Sequence, residues 1–412
     1  MTHPKFRRFL IGISIVLVFV ALALIAGQVS ADTVTPRTIQ RELAPVIVRG
    51  DDLSALHGAS VDSLFVYHHT GGNWEQIPFQ VDRMAGGVYT DTTDGMLGPM
   101  DEIVFMTADL GDRSALVGIT SALAISPTWY QVEVTDPLSP TLKGWAYIVR
   151  SESLTKTFTQ TYASFDIGSS QIRSERYALG FADSHPGFEY LALNDSGTDI
   201  LDRTKIRLRT VLGTVTEDDI GPEPIDLTKD GPVRVIARGG AVIGYHGIIK
   251  MSIVYPLPMG VTGARLSTDF NADVASSTFY NANIPGGVTI DGNPDTVAPT
   301  PLSTWWQVSG DTGTLVQVAD PSGVGGIQTN YYKDDDTLNP SDPGDNKSYG
   351  DTGIKVNSPH ATVVYHSVYA VLPPNQPNVG AAYAARVAYP VDVAVTTPVG
   401  TVQFYLPVVM KN

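Results

Sequence analysis

Along most of the chain, short runs of β-branched and aromatic residues alternate with clusters of Gly, Pro, Asp and Asn. Such runs cover residues 61–68, 129–134, 144–150, 205–212, 232–238, 248–255, 362–372 and 383–395. In Ile206-Arg207-Leu208-Arg209 the apolar and cationic side chains alternate, as on a strand with two unlike faces. The 39 glycines and 28 prolines fall mostly between the runs, where strands turn. Beyond residue 31 no long stretch combines helical spacing with helix caps. The pattern predicts an all-β body of roughly sixteen strands on short connections. These stack as antiparallel sheets in a β-sandwich or supersandwich. A Ser- and Thr-rich segment at 151–168 follows a strong strand and sets an expected boundary. It divides an amino-terminal β domain, 32–150, from a larger β-sandwich domain, 151–412. Residues 285–303 and the acidic stretch from Asp334 to Asp351 are expected as long irregular connections, which tend to be functional.

The first 31 residues follow a different rule. Lys5, Arg7 and Arg8 precede a 19-residue run without charge, from Phe9 to Gly27, and then Val29-Ser30-Ala31. A basic start, an apolar middle and small residues at the end are what a signal peptidase reads, so cleavage is expected before Asp32. The run is also long enough to span a bilayer, and a retained anchor helix is the alternative. In either case the cations hold the amino end inside, and the body is expected outside the cell or on its surface. The membrane is then a partner only through this segment.

Composition narrows the classes. The chain has 27 Lys plus Arg against 42 Asp plus Glu. Loss of residues 1–31 removes three cations and no acid, leaving 24 against 42 and a formal charge of −18. Phosphate polymers need clustered cations, so nucleic acid is not an expected partner. The absence of cysteine excludes disulfides and thiolate metal sites. Phosphate-binding, dinucleotide-binding and nucleophile-elbow motifs are missing as well, which speaks against a nucleotide as partner.

The candidate chemistry lies in four groups. Asp334, Asp335, Asp336, Asp342, Asp345 and Asp351 put six carboxylates within eighteen residues among Gly and Pro. Calcium takes six to eight oxygen ligands in irregular geometry, so this loop is the candidate Ca2+ site. Its spacing does not match the EF-hand loop, and a solvated acidic turn is the alternative. Trp305-Trp306 and Tyr331-Tyr332 flank the irregular connections. Adjacent residues on a strand face opposite ways, so one ring of each pair could lie exposed as a platform for a sugar, with burial as the alternative. A glycan lyase needs a base and a cation facing a uronate. His185, His246, Tyr245, Arg207 and Arg234 are the required types, with His185 placed in a turn, although nothing in the sequence brings them together. None of the eight histidines has metal-type spacing.

The fourth group is a pair of blocks, Trp74-Glu75-Gln76-Ile77-Pro78-Phe79-Gln80-Val81-Asp82 and Asp101-Glu102-Ile103-Val104-Phe105. Between and beside them lie Asp91, Asp94 and Asp109. The pair resembles a family of uncharacterised secreted β proteins, some of whose relatives accompany polysaccharide-degrading enzymes. The resemblance implies export and a β-sandwich and assigns no catalytic residue. This chain lacks the fuller Asp-Gly-Asp-Gly form of the intervening loop. Asp230-Gly231-Pro232-Val233-Arg234-Val235-Ile236 also looks like a strand block of large secreted β proteins. The final Phe404-Tyr405-Leu406-Pro407-Val408-Val409-Met410-Lys411-Asn412 resembles a tail found on exported bacterial proteins. Two functions are therefore expected. The first is a non-catalytic extracellular protein binding a polysaccharide or another cell-envelope component. The second is a carbohydrate-active enzyme, a lyase or hydrolase, with a cleft in a supersandwich.

Overall fold

The computed structural model describes residues 34–91, 95–114 and 129–396, and the backbone alone at 402–405. The expected export segment, Asp94 and residues 406–412 of the tail lie outside the described residues.

Twenty-eight strands are present among the described residues, all in antiparallel pairs. They form five sheets. A four-stranded sheet contains β1 (Pro45–Arg49), β4 (Gln80–Ala85), β5 (Val88–Thr90) and β6 (Glu102–Met106). A six-stranded sheet contains β2 (Leu64–Thr70), β3 (Asn73–Gln76), β7 (Trp129–Asp136), β8 (Ser139–Arg150), β27 (Asp392–Thr396) and β28 (Val402–Tyr405). A second four-stranded sheet holds β9 (Ser164–Asp166), β10 (Gln171–Arg173), β11 (Tyr177–Phe181) and β12 (Phe188–Leu193). Five strands, β13 (Leu201–Thr210), β14 (Gly213–Thr216), β19 (Val261–Phe270), β24 (Ile327–Asp335) and β25 (Ser348–Asn357), make the next.

The largest sheet has nine strands. It begins with β15 (Leu227–Asp230), β16 (Val235–Ala237), β17 (Val242–Gly244) and β18 (Ile248–Pro256). It continues through β26 (Thr362–Leu372), β23 (Gly313–Asp320), β22 (Trp305–Gly310), β20 (Thr278–Asn281) and β21 (Ile284–Thr289). Among the described residues two short α-helices, α1 (Glu217–Ile220) and α2 (Gly380–Ala388), interrupt the strands.

Stacking follows from which side chains share a core. Val46 and Val48 of β1 and Ile103 and Phe105 of β6 pack with Val66, Val132 and Ile148 of the six-stranded sheet. The opposite faces of β1 and β6, through Ile47, Val104 and Met106, meet Ile236, Ile248 and Val316 of the nine-stranded sheet. Alternate residues of that same sheet, Val235, Ile249 and Leu315, face away into a third core. There they meet Leu179 and Phe188 of the second four-stranded sheet and Phe270 of the five-stranded one. The result is a stack of layers in which the nine-stranded sheet packs apolar side chains on both of its faces. The outer layer that matters below is the five-stranded sheet.

Three expectations change. The run 383–395 is not one strand: residues 380–388 form α2, because five of its nine residues are alanine, the best helix former. Val393 and Val395 of β27 pair opposite Val134 and Val132, so a strand from the far end of the chain completes the sheet of residues 64–150. The division expected at residue 150 is therefore crossed by the chain. The strand total exceeds the expected one because pieces such as β9, β10 and β17 have only three residues each and carry no separate apolar run.

Candidate functional site

Two clusters among the described residues each bury several charges together. The first involves the Gln80-Val81-Asp82 and Asp101-Glu102 blocks. Arg234 has no exposed surface. Its Nε donates to Asp82 at 2.7 Å, Nη2 to Glu102 at 2.6 Å and Nη1 to the Tyr245 hydroxyl at 2.9 Å. Gln80 Oε1 accepts from the backbone N–H of Val233 and of Arg234, and its Nε2 donates to Asp82. Tyr89 donates to Glu102 and its ring lies 5.0 Å from the guanidinium. Burial alone would lower the Arg234 pKa, but Tyr245, Asp82, Tyr89 and Glu102 outweigh it and hold the group charged. Gly231 has no side chain because a Cβ there would lie 2.4 Å from Gln80 Oε1. The two sequence blocks and Asp230–Ile236 thus form one lock that joins the four-stranded sheet to the nine-stranded one. A lock this enclosed has a structural role, and no substrate can reach Arg234 or Tyr245.

The second lies on the outward face of the five-stranded sheet. Arg203, Lys205, Arg207 and Arg209 alternate along β13 and point the same way. Register sets Arg203 opposite Asp269 and Arg207 opposite Arg265 on β19, with Tyr331, Asp351 and Lys355 on the next strands of the same face. The face is roofed by Glu217 of α1 and by the 336–347 connection carrying Asp342. Lys205, Glu217, Asp269 and Asp351 have no exposed surface as a consequence. Lys205 touches Asp269 and lies 3.3 Å from Asp342 and 3.9 Å from Asp202. Arg207 bonds Glu217 and reaches Asp342 at 2.7 Å, while Arg265 approaches Asp351 at 3.5 Å and bonds the Tyr331 hydroxyl at 2.5 Å.

The carboxyls of this cluster respond to burial and to their neighbours in different directions. Burial first, then the charge of Asp351, push the Asp269 carboxyl far above its usual range. Burial likewise raises Asp202 to about 6. Asp342 goes the other way: burial would raise it, but Lys205, Arg207 and Arg265 together hold it low. Among the described residues Asp269 is paired with Lys205 alone, and Asp351 accepts no hydrogen bond.

The six aspartates of the expected calcium loop do not converge in this structure. Asp342 and Asp351 are turned to Lys205, Arg207 and Arg265. Asp334 instead accepts from the backbone of Asp291 and Gly292, Asp335 from Thr337 and Asp345 from Lys347. Asp336 is tied by its backbone N–H to Gly292. Among the described residues no three carboxylate or imidazole groups converge as a metal site. Cations fixed on neighbouring strands occupy the role that the sequence suggested for an ion.

The aromatic platform also differs from expectation. Trp305 and Trp306 do face opposite ways, but both faces of the sheet are covered. Trp305 lies under α2, where a Cβ on Gly380 would come within 2.1 Å of its ring, and Trp306 meets Phe270 and Tyr369 edge-on. Tyr332 stacks on Phe279 at 4.4 Å. Only Tyr331 reaches the polar face, with Arg265 and Lys355 each 4.4 Å from its ring.

The proposed lyase set does not assemble. His185 is buried beside Glu189 at 3.9 Å rather than free in a turn. His246 lies in the link between β17 and β18, edge-on to Tyr162 at 5.1 Å, and burial with Arg176 lowers its pKa. No hydrogen bond or ion pair among the described residues ties either histidine to Arg207 or Arg234. Arg207, Tyr331, Asp342 and Asp351 do come together, joined by Lys205, Arg265, Asp269 and Glu217, which sequence reasoning passed over. The available signal was the row of four cations at period two in β13, which in so acidic a chain calls for carboxylate partners.

No protein-family model and no curated protein matches this sequence. Among solved structures, the crystal structure of a β-arabinopyranosidase is similar over 51% of this chain, at 8% identity and a TM-score of 0.26. The chain spans 40% of that structure's length, and so slight a likeness carries no argument about activity.

Proposed function

We propose that this chain is an exported, non-catalytic β-sandwich protein that binds a glycan or another cell-envelope component. The binding surface we assign is the open end of the five-stranded sheet. Three features meet there. Val211 and Leu212, in the turn after β13, are 81% and 95% exposed, and Met259, in the turn before β19, is fully exposed. Thr210 pairs with Val261, so the two turns are neighbours, and Ile327, 71% exposed, stands across Asn357 on the same end. Behind them lie the cations Arg209 and Lys355 and the amide of Asn357, which accepts from Arg209 at 2.9 Å. Large apolar groups held this far into water usually serve contact with a partner.

The single observation that carries the reading is this cluster of exposed apolar turns beside cations. Two cavities, one beside Trp305 and Tyr331 and one beside Leu179 and Phe188, have volumes of about 10 and 20 Å³. Each has room for about one water molecule and for no substrate. The exposed cations Arg209 and Lys355 favour a glycan carrying carboxylate or phosphate groups. The enzyme reading finds less support, since the acid, base and cation it needs are buried and apart.

The test is a glycan array, anionic and neutral, with the full chain, run beside a lyase and hydrolase assay on the same polymers. Retention of an anionic glycan without turnover is expected, weakened at least tenfold by Arg209→Ala with Lys355→Ala, or by Leu212→Ser with Met259→Ser. Turnover of any polymer, or no retention at all, would overturn the reading.

A further inference from the structure

We infer that Lys205 and Asp269 are joined by an intramolecular isopeptide bond, with Asp351 carrying the protons. This goes beyond ligand binding and does not depend on it. The three residues lie on three adjacent strands, β13, β19 and β25, and project from the same face. All three have no exposed surface. Lys205 is in direct contact with the Asp269 carboxyl. The pairing between β19 and β25 shifts between Thr268 and Phe270, so Asp269 sits on an irregularity that turns it toward Asp351.

Two further facts separate this cluster from an ordinary ion pair. Among the described residues Asp269 is paired with Lys205 alone and Asp351 accepts no hydrogen bond, whereas the carboxylates of the Arg234 lock are each bonded by two or more donors. The carboxyl that would be attacked is also the one that burial and a like charge keep protonated. Against burial, the carboxylates around Lys205 hold it charged, so it must lose a proton first; its nitrogen, fixed against a carboxyl in a site shut off from water, is then oriented for acyl transfer. Besides Asp269 the Lys205 ammonium lies within 4 Å of Asp342, Asp202 and the Lys347 carbonyl, and the charge of Asp351 acts on it from beyond them.

The step balances without a cofactor. The Lys205 ammonium gives one proton to the Asp351 carboxylate, and the free amine bonds to Cγ of the protonated Asp269 carboxyl. Nζ then loses a second proton, the Cγ–OH bond breaks, and the hydroxyl leaves as water. The products are a secondary amide, one water molecule and one proton held on Asp351. In an exported chain without cysteine such a bond would supply a cross-link that no reductant opens.

The experiment is the intact mass of the folded full chain, its amino terminus assigned by sequencing, followed by tryptic mapping. The mass should be lower than the sequence mass by one water. Trypsin should leave residues 204–207 joined to residues 266–333, since the acylated Lys205 no longer directs cleavage. Lys205→Met should restore the full mass. Asp351→Asn, which keeps the side-chain size, should give a protein with wild-type circular dichroism and the full mass. A folded wild type at full sequence mass, with no joined peptide, overturns the bond, even if a variant fails to fold. A cross-link that persists in D351N overturns the role given to Asp351.

Discussion

Replacing Arg234 with methionine tests whether the buried lock between the sheets is structural. The substitution keeps most of the apolar stem and removes three donors, leaving Asp82 and Glu102 buried without a counter-charge. Asp82 keeps its bonds from Gln80 and Glu102 keeps the one from Tyr89, but neither donor is charged. Breaking a buried pair by removing one partner costs about 3–5 kcal/mol, much of it the desolvation of the stranded ion. Against a total stability of about 5–15 kcal/mol, that is a large fraction. Equilibrium unfolding in urea, followed by tryptophan fluorescence, should show a midpoint well below wild type. Replacing Arg234, Asp82 and Glu102 together with apolar residues of similar volume should recover most of the loss, because no charge then remains unpaired. A single-variant loss under about 1 kcal/mol would refute the reasoning, since it would mean that water reaches the carboxylates.

Three other outcomes follow. Gly380→Ala should destabilise the protein by about 1–3 kcal/mol in thermal unfolding, because the methyl group would meet the Trp305 ring and this outweighs the gain in helix propensity; a raised melting point would show that α2 can shift outward at little cost. Asp109 is raised to about 6, chiefly by burial, against lowering by the 2.6 Å bond from Tyr162 and by the His68 and Arg37 charges. The folded chain then binds more protons than the unfolded one between about pH 4 and 6, so this group's contribution to stability falls as pH rises through that interval. Asp109→Asn should flatten that slope in melting curves recorded across pH, and an unchanged slope would remove Asp109 as its source. Excess EDTA should leave the melting temperature unchanged, since Lys205, Arg207 and Arg265 already neutralise Asp342 and Asp351; a fall of several degrees would restore calcium to the loop.

Much of the site was legible one strand at a time. The alternation in Ile206-Arg207-Leu208-Arg209 marked a two-faced strand, and the acidic run from Asp334 to Asp351 marked a loop charged beyond the needs of a turn. Neither pattern indicated that the two would meet. Asp269 and Arg265 sit in an unremarkable strand, and Glu217 in an ordinary capping box, so no local feature distinguished them.

The sequence by itself determined what rests on neighbours along the chain. Backbone sterics and the opposition of successive side chains make β-branched runs into strands, and Gly and Pro end them, wherever the chain goes afterwards. Only the tertiary structure decided which strands lie side by side and which faces are covered. The outward face of β13 is hidden because α1 and the 336–347 connection fold over it, and Trp305 is hidden because α2 covers it. Coulomb energy and burial depend on distance in space, and residues 205, 269 and 351 become neighbours only when three strands join one sheet.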